Sequence, residues 1–184
     1  MRPLTPFRIS SKRRSAPLLA LWALAAGLLS CSIAATYEGM IPESFETVHR
    51  IPQAVQVSVS GGDNEGTVGK PQITDLAFRR ALVESIKRSG MFSEVVADHR
   101  QAVQHLLSVT IFSVDSRTFG RVVKLEAGWT LRRGDTREVV WQESIISESR
   151  DFNIQVATEG AARNNIAQGL AKLSKLAVSA KLDR

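Results

Sequence analysis

The stretch Val122–Arg132, VVKLEAGWTLR, carries the clearest structural signal in the chain. Its valine, leucine, alanine and tryptophan side chains alternate with polar or small residues, which is the period of two expected for a strand with one buried face. Gly134 and Asp135 then provide a turn, and a second strand-like run covers 137–149. The pattern therefore predicts an antiparallel hairpin.

A loop of three residues, 134–136, is the interpretation that places Trp129 and Trp141 on the same buried face. In that register Leu125 lies opposite Ile145, and Glu143 faces the protein interior. We interpret the two tryptophans as a stacked pair in the core rather than as a platform for sugars.

A strand and a helix precede the hairpin. The stretch 54–60, AVQVSVS, alternates valine with polar residues. A polar loop over 61–71 follows, and Thr74 is then placed to cap a helix that Gly90 ends. The predicted buried stripe of this helix consists of Phe78, Ala81, Leu82, Ser85 and Ile86.

An optional short strand over 93–97, a longer strand over 106–114 and a last helix over 155–181 complete the pattern. The stripe of the last helix consists of Ile166, Leu170, Leu173, Leu176 and Ala177, with Lys172 outside. These elements predict an α+β two-layer sandwich, in which a mostly antiparallel sheet of about four strands carries two helices on one face. The predicted order is β-α-β-β-β-α. It loosely resembles small periplasmic α+β domains such as the TolB amino-terminal domain, a likeness of fold that implies no function.

Residues 1–30 have the composition of a secretory signal peptide. The first 17 residues are basic, 18–29 are apolar, and small residues flank Cys31, which is the only cysteine in the chain. Because the basic end stays on the cytoplasmic side, the apolar stretch would enter the membrane.

The residues at 28–31, Leu-Leu-Ser-Cys, resemble the lipobox of bacterial lipoproteins. The resemblance implies that the Cys31 thiol carries a diacylglycerol and that the Ser30–Cys31 peptide bond is cut. Two acyl chains on one residue suffice for stable anchoring. Since Ser32 is not aspartate, the resemblance also implies sorting to the outer membrane. The predicted segments are a signal peptide over 1–30, a lipidated amino terminus and tether over 31–53, and a periplasmic domain over 54–184.

Three other interpretations of the leader stay open. The nearly apolar run 16–35 spans about 20 residues, enough for an uncleaved anchor in the inner membrane. The small residues at 32–34 suit ordinary signal peptidase, which would release a soluble periplasmic protein. Arg13 and Arg14 are similar to a twin-arginine signal, although large apolar residues do not follow them.

The basic excess of the chain lies almost entirely in the leader and not in the domain. The net charge is +6, but from Cys31 onward 19 lysines and arginines balance 18 aspartates and glutamates. A nucleic-acid-binding domain would keep a basic excess in its folded part. The sequence therefore predicts no nucleic-acid partner.

Motifs for catalysis, metals and cofactors are not found in the sequence. His49, His99 and His105 lack metal-ligand spacing. The glycine-rich loop lacks the P-loop pattern, because Pro71 follows Lys70 where serine or threonine is required. We interpret three further acidic residues as solvent-facing charges along a strand, namely Glu138, Glu143 and Glu148.

The sequence favours a non-enzymatic lipoprotein that serves as an accessory or adaptor of an envelope complex. Its predicted partners are the membrane, reached through the Cys31 lipid, and an envelope protein. An alternative is a carrier that binds a lipid or small apolar ligand between the sheet and its helices. A cell-wall enzyme is disfavoured, because no residue set points to one.

Overall fold

The computed structural model describes residues 34–45, 49–63, 65, 70–96, 102–117 and 122–178. The chain divides into two units, 1–31 and 32–184. The predicted leader, the cleavage site Ser30–Cys31 and the sorting residue Ser32 lie outside the described residues. The elements are β1 (Ile51–Ser60), α1 (Asp75–Ser89), β2 (Phe92–Val96), β3 (His105–Arg117), β4 (Val122–Arg133), β5 (Val139–Arg150) and α2 (Ile154–Val178), preceded by a 3₁₀ turn at Glu38–Met40.

The strands form one sheet in the order β2-β1-β3-β4-β5. Strand β1 runs parallel to both β2 and β3, whereas β3, β4 and β5 are antiparallel neighbours. The predicted α+β class is therefore confirmed, but the sheet is mixed and has five strands instead of about four mostly antiparallel ones. Strand direction depends on the connections, and α1 returns the chain so that β2 and β3 flank β1 from opposite sides.

Helix α1 follows the sequence prediction closely. Thr74 caps it by accepting a hydrogen bond from the Ala77 N–H at 3.1 Å. Gly90 ends it with φ at 63°, a left-handed conformation that glycine adopts without a steric penalty. All five residues of the predicted stripe are buried, so this helix packs against the sheet as expected.

The β4–β5 hairpin is confirmed, but its predicted register is wrong by two residues. The Arg133 N–H donates to the Glu138 carbonyl oxygen at 2.9 Å, which closes a four-residue loop instead of a three-residue one. The register then shifts again between Leu131 and Arg132. As a result, Ile145 pairs with Ala127 and not with Leu125.

Glu143 faces the helix layer, as the hairpin prediction requires, and there it forms an ion pair with Lys172 of α2. Its interpretation as a solvent-facing charge is therefore corrected. The prediction that Lys172 lies outside is therefore wrong. Both side chains are about two-fifths exposed, so water screens part of their attraction. The pair links the edge strand β5 to α2.

Trp129 forms the centre of the contact between β4 and α2. It is fully buried, and its indole N–H donates to Asn165 Oδ1 at 2.9 Å. An added Cβ at Gly169 would lie 2.5 Å from the Trp129 ring, so only glycine lets the helix approach this closely. Trp129 pairs with Glu143 across the strands and Trp141 with Leu131. The two tryptophans are thus not directly opposed, and the predicted stacked pair is corrected.

Candidate functional site

The segment 34–45 is packed against the domain. Ala34 forms a parallel bridge with Gln72, and the Ala35 N–H donates to the Gln72 carbonyl oxygen at 3.0 Å. Met40 is fully buried and Ile41 nearly so. The described part of the segment predicted as a tether over 31–53 contributes side chains to the core. Burying Met40 and Ile41 removes apolar surface from water and so stabilises this packing.

Four residues fasten this segment to helix α2, and we call them the N-terminal clamp: Thr36, Gly39, Glu159 and Arg163. Both the N–H and the hydroxyl of Thr36 donate to Glu159 Oε1, at 2.9 and 2.8 Å. The Arg163 guanidinium donates twice to the Gly39 carbonyl oxygen, at 3.0 and 2.7 Å. The clamp therefore joins positions more than 120 residues apart in sequence.

The clamp holds Glu159 in its charged form. Burial alone raises the pKa of this carboxyl group, but hydrogen bonds from Thr36 and Gln155 and the positive charge of Arg163 outweigh it. The pKa of Glu159 therefore lies below its ordinary value of 4.5. A carboxylate that accepts several hydrogen bonds is stabilised in this way.

A lowered pKa makes the contribution of Glu159 to stability depend on pH. That contribution is complete above the pKa of the unfolded chain and is lost as pH falls through the lower pKa of the folded state. We expect Glu159→Gln to lower the free energy of unfolding by about 1–2 kcal/mol at neutral pH, because charged hydrogen bonds are replaced by neutral ones. The difference from wild type shrinks below about pH 4.5.

Urea unfolding of both proteins at neutral and acidic pH measures this effect. Glu94→Gln, at an exposed position of β2, is the control and should track the wild type throughout. A Glu159→Gln difference that stays constant across the pH range would contradict the assignment.

An exposed apolar pair lies where α2 begins, and we call Phe152 and Val156 the apolar tip. Phe152 is 88% exposed and Val156 is 43% exposed. The turn that presents Phe152 is held on both sides. Asp151 accepts from the Asn153 N–H at 2.8 Å, and Asn153 caps α2 by accepting from the Gln155 N–H at 2.9 Å.

The apolar tip and the N-terminal clamp share one end of the domain. Val156 and Glu159 are three residues apart on α2 and so are neighbours on its surface. Gln155, between the tip residues, also donates to Glu159 Oε1, at 3.0 Å. Thr36 therefore contacts α2 at Glu159, which lies about two helical turns beyond Phe152.

The sheet face away from the helices is open and mostly polar. Two cross-strand rows cover it, Ser58–Ser108–Thr130–Gln142 and Ser60–Thr110–Gly128–Ser144. The two most exposed large apolar side chains on this open face, among the described residues, are Phe112, whose ring lies over Gly128 and is 60% exposed, and Ile146, which is 50% exposed. This face therefore combines hydroxyl and amide groups with a few exposed apolar side chains.

A groove of about 430 Å³ runs between α1 and the edge of the sheet. Its apolar lining includes Val57, Val83 and Val95, and charged residues of α1 lie alongside. This groove is not the predicted ligand site between the layers. The described residues of the helix stripes expected to line that site are packed into the core instead, with Leu176 partly buried.

Of the histidines singled out in the sequence, His99 lies outside the described residues and His49 lies in the segment before β1. Buried His105 approaches Gln53 Oε1 through Nε2 at 2.6 Å, and burial followed by the charge of Arg133 lowers its pKa. Within the described ranges, no group of three or more His, Cys, Asp or Glu side chains is arranged to hold a metal ion. Neither helix in these ranges is long and apolar enough to cross a bilayer.

Comparison with known proteins identifies the fold alone. No family model matches the chain, and no curated protein matches its sequence. A DUF330 protein from Xanthomonas campestris superposes with a TM-score of 0.61 at 11% identity, over 79% of this chain and 95% of that one. A PelC dodecamer from Paraburkholderia phytofirmans gives 0.53 at 14%, over 71% and 94%. A hypothetical protein from Chlamydia trachomatis gives 0.56 at 8%, over 70% and 99%.

These three matches define the class as a small α+β domain shared by proteins of several bacteria. At such low identities they carry no activity over to this chain. The resemblance to the TolB amino-terminal domain and the lipobox remain predictions from sequence.

Proposed function

We propose that the protein is an outer-membrane lipoprotein anchored through Cys31, whose periplasmic domain serves as a non-enzymatic adaptor of an envelope assembly. The observation that carries the proposal is how soon after Cys31 the described chain pairs with the rest of the domain. Ala34 and Ala35 already pair with Gln72, only three residues after the lipobox-like cysteine. A cut before Cys31 leaves this pairing whole, whereas a cut after Ala34 removes part of it.

The adaptor role is supported by the open face and by the use of the acidic groups. Phe112 and Ile146 lie exposed within rows of hydroxyl groups, which suits contact with another protein. Glu143 and Glu159 hold the fold together through Lys172 and the N-terminal clamp, so they serve structural purposes. The dodecamer of PelC, which shares this fold, supports a role in an assembly.

Metabolic labelling with palmitate tests the anchor. Wild type and Ser30→Ala should both incorporate label, because the lipobox accepts alanine before its cysteine. Cys31→Ala should lose the label, because no other thiol exists to carry the lipid. Density separation should find the labelled wild type in the outer membrane, and equal labelling of Cys31→Ala would refute the anchor.

A photo-crosslinking residue at Phe112 tests the adaptor role in intact cells. We expect discrete protein adducts from this position on the open face. Lys175, exposed on the helix layer, is the control position and should give none. Identical adduct patterns from both positions would contradict the assignment of the open face.

A further inference from the structure

Two exposed apolar side chains, Phe152 and Val156, lie beside the point where the N-terminal segment contacts α2. Phe152, at 88% exposure, is the most exposed large apolar side chain among the described residues. Large apolar groups exposed together often mark a contact surface. The backbone of the turn that carries Phe152 is fixed by the hydrogen bonds of Asp151 and Asn153.

We propose that the apolar tip, Phe152 and Val156, rests in the surface of the lipid bilayer and sets the orientation of the domain on the membrane. The inference depends on the proposed anchoring through Cys31. It adds to that proposal the surface of the domain that contacts the membrane and the orientation of the domain relative to the bilayer.

Chain length carries the first step. Ala34 is three positions after Cys31, and an extended chain over three such steps spans at most about 11 Å. A domain of this size measures roughly 40 Å across. A lipid at Cys31 therefore keeps the Ala34 end close to the headgroups and holds the opposite end, with the β4–β5 turn, away from them.

The position of the clamp carries the second step. Thr36 is bonded to Glu159, and Glu159 lies one turn of α2 beyond Val156. The tip is thus within the part of the domain that the short connection brings to the membrane. Aromatic and aliphatic side chains at that depth enter the boundary between headgroups and acyl chains.

The neighbouring end of the sheet carries charges of both signs: Asp115, Glu148 and Asp151 lie there together with two arginines that can reach anionic headgroups. Arg117 and Arg150 are both exposed and stand in one cross-strand row through Val122. Arg150 lies two residues before Phe152. Basic side chains beside an inserted apolar group favour a surface that contains anionic lipids.

The contact of the apolar tip with the membrane can be measured with a fluorophore on one introduced cysteine. The lipid blocks the thiol of Cys31, which is the only native cysteine, so only the introduced thiol is labelled. Phe152→Cys in the full-length lipidated protein would carry one environment-sensitive fluorophore, and Asp135→Cys and Phe112→Cys would carry it as controls. Position 135 lies in the β4–β5 turn and position 112 on the open face. Because all three positions are exposed, labelling leaves the core intact.

Each protein is reconstituted with vesicles of phosphatidylethanolamine and a minority of phosphatidylglycerol, part of it carrying nitroxide quenchers. We expect several-fold stronger quenching at position 152 than at 135 or 112. Equal quenching at all positions, in protein that floats with the vesicles, would overturn the tip contact and leave the anchor standing. Protein that does not float would overturn both. Fluorescence at 152 that responds to protein concentration but not to quencher would assign the tip to contact between copies and overturn the proposal.

Discussion

Trp129→Ala should lower the free energy of unfolding by about 3–5 kcal/mol, the range for removing a large buried aromatic side chain. The residue is fully buried, and Gly169 of α2 lies against its ring. Its removal also leaves Asn165 Oδ1 without the indole N–H, and an unsatisfied buried acceptor costs about 1–3 kcal/mol. Because domains of this size are stable by only about 5–15 kcal/mol, most of the stability would be lost.

Denaturant unfolding followed by circular dichroism measures this loss. Trp129→Phe keeps an aromatic ring but removes the N–H, so it isolates the hydrogen bond and should cost less than the alanine variant. Phe112→Ala, on the open face, is the matched control and should cost about 1 kcal/mol or less. Similar losses for Trp129→Ala and Phe112→Ala would show that β4 and α2 are not joined through this tryptophan.

Met40→Ala is the second substitution with a large expected effect, about 2–5 kcal/mol. Met40 is fully buried, although it lies in a segment without regular periodicity. Its truncation leaves a cavity where the 3₁₀ turn packs against the helix layer, and the surrounding side chains fill such a cavity only in part.

The same unfolding experiment tests Met40→Ala, with Ser44→Ala as its control. Ser44 is exposed in the same segment, and its substitution should change stability by less than about 0.5 kcal/mol. If Met40→Ala were equally mild, the segment would be a tether after all, and the short connection from Cys31 to the fold would no longer constrain the domain.

Local signals in the sequence were sufficient for helix α1. Thr74 and Gly90 define its ends through contacts within one turn, and the spacing of its apolar residues defines its buried face. Such features depend on neighbours a few positions away, and the structure confirms each of them.

Features set by distant or irregular contacts were not predictable in the same way. The hairpin register depends on the extra residue Val140 and on Arg137, which adopts a φ of 62° without being glycine. Nothing in their residue types indicates this geometry. The parallel pairing of β1 with β3 likewise depends on how the chain returns, which periodicity does not encode.

In the candidate site, too, one part was predictable from local sequence and another depends on distant contacts. Cys31 stands out through a motif of four residues, whereas the clamp depends on partners that meet only in the fold. One signal was available: Tyr37, Met40, Ile41 and Phe45 place four large apolar residues in a stretch interpreted as a spacer. The exposure of Phe152 was not predictable, since a phenylalanine before a helix is usually buried.

The reach of the clamp along the chain has a consequence for how the protein matures. Thr36, Gly39 and His49 all take partners from α2, with Ser174 accepting from the His49 N–H. Contacts between such distant positions form late, since a long loop must close first. The N-terminal segment therefore gains these partners only after α2 has been made and has folded. A chain interrupted before α2 would lack the partners of Thr36, Gly39 and His49, whereas the completed chain forms these hydrogen bonds.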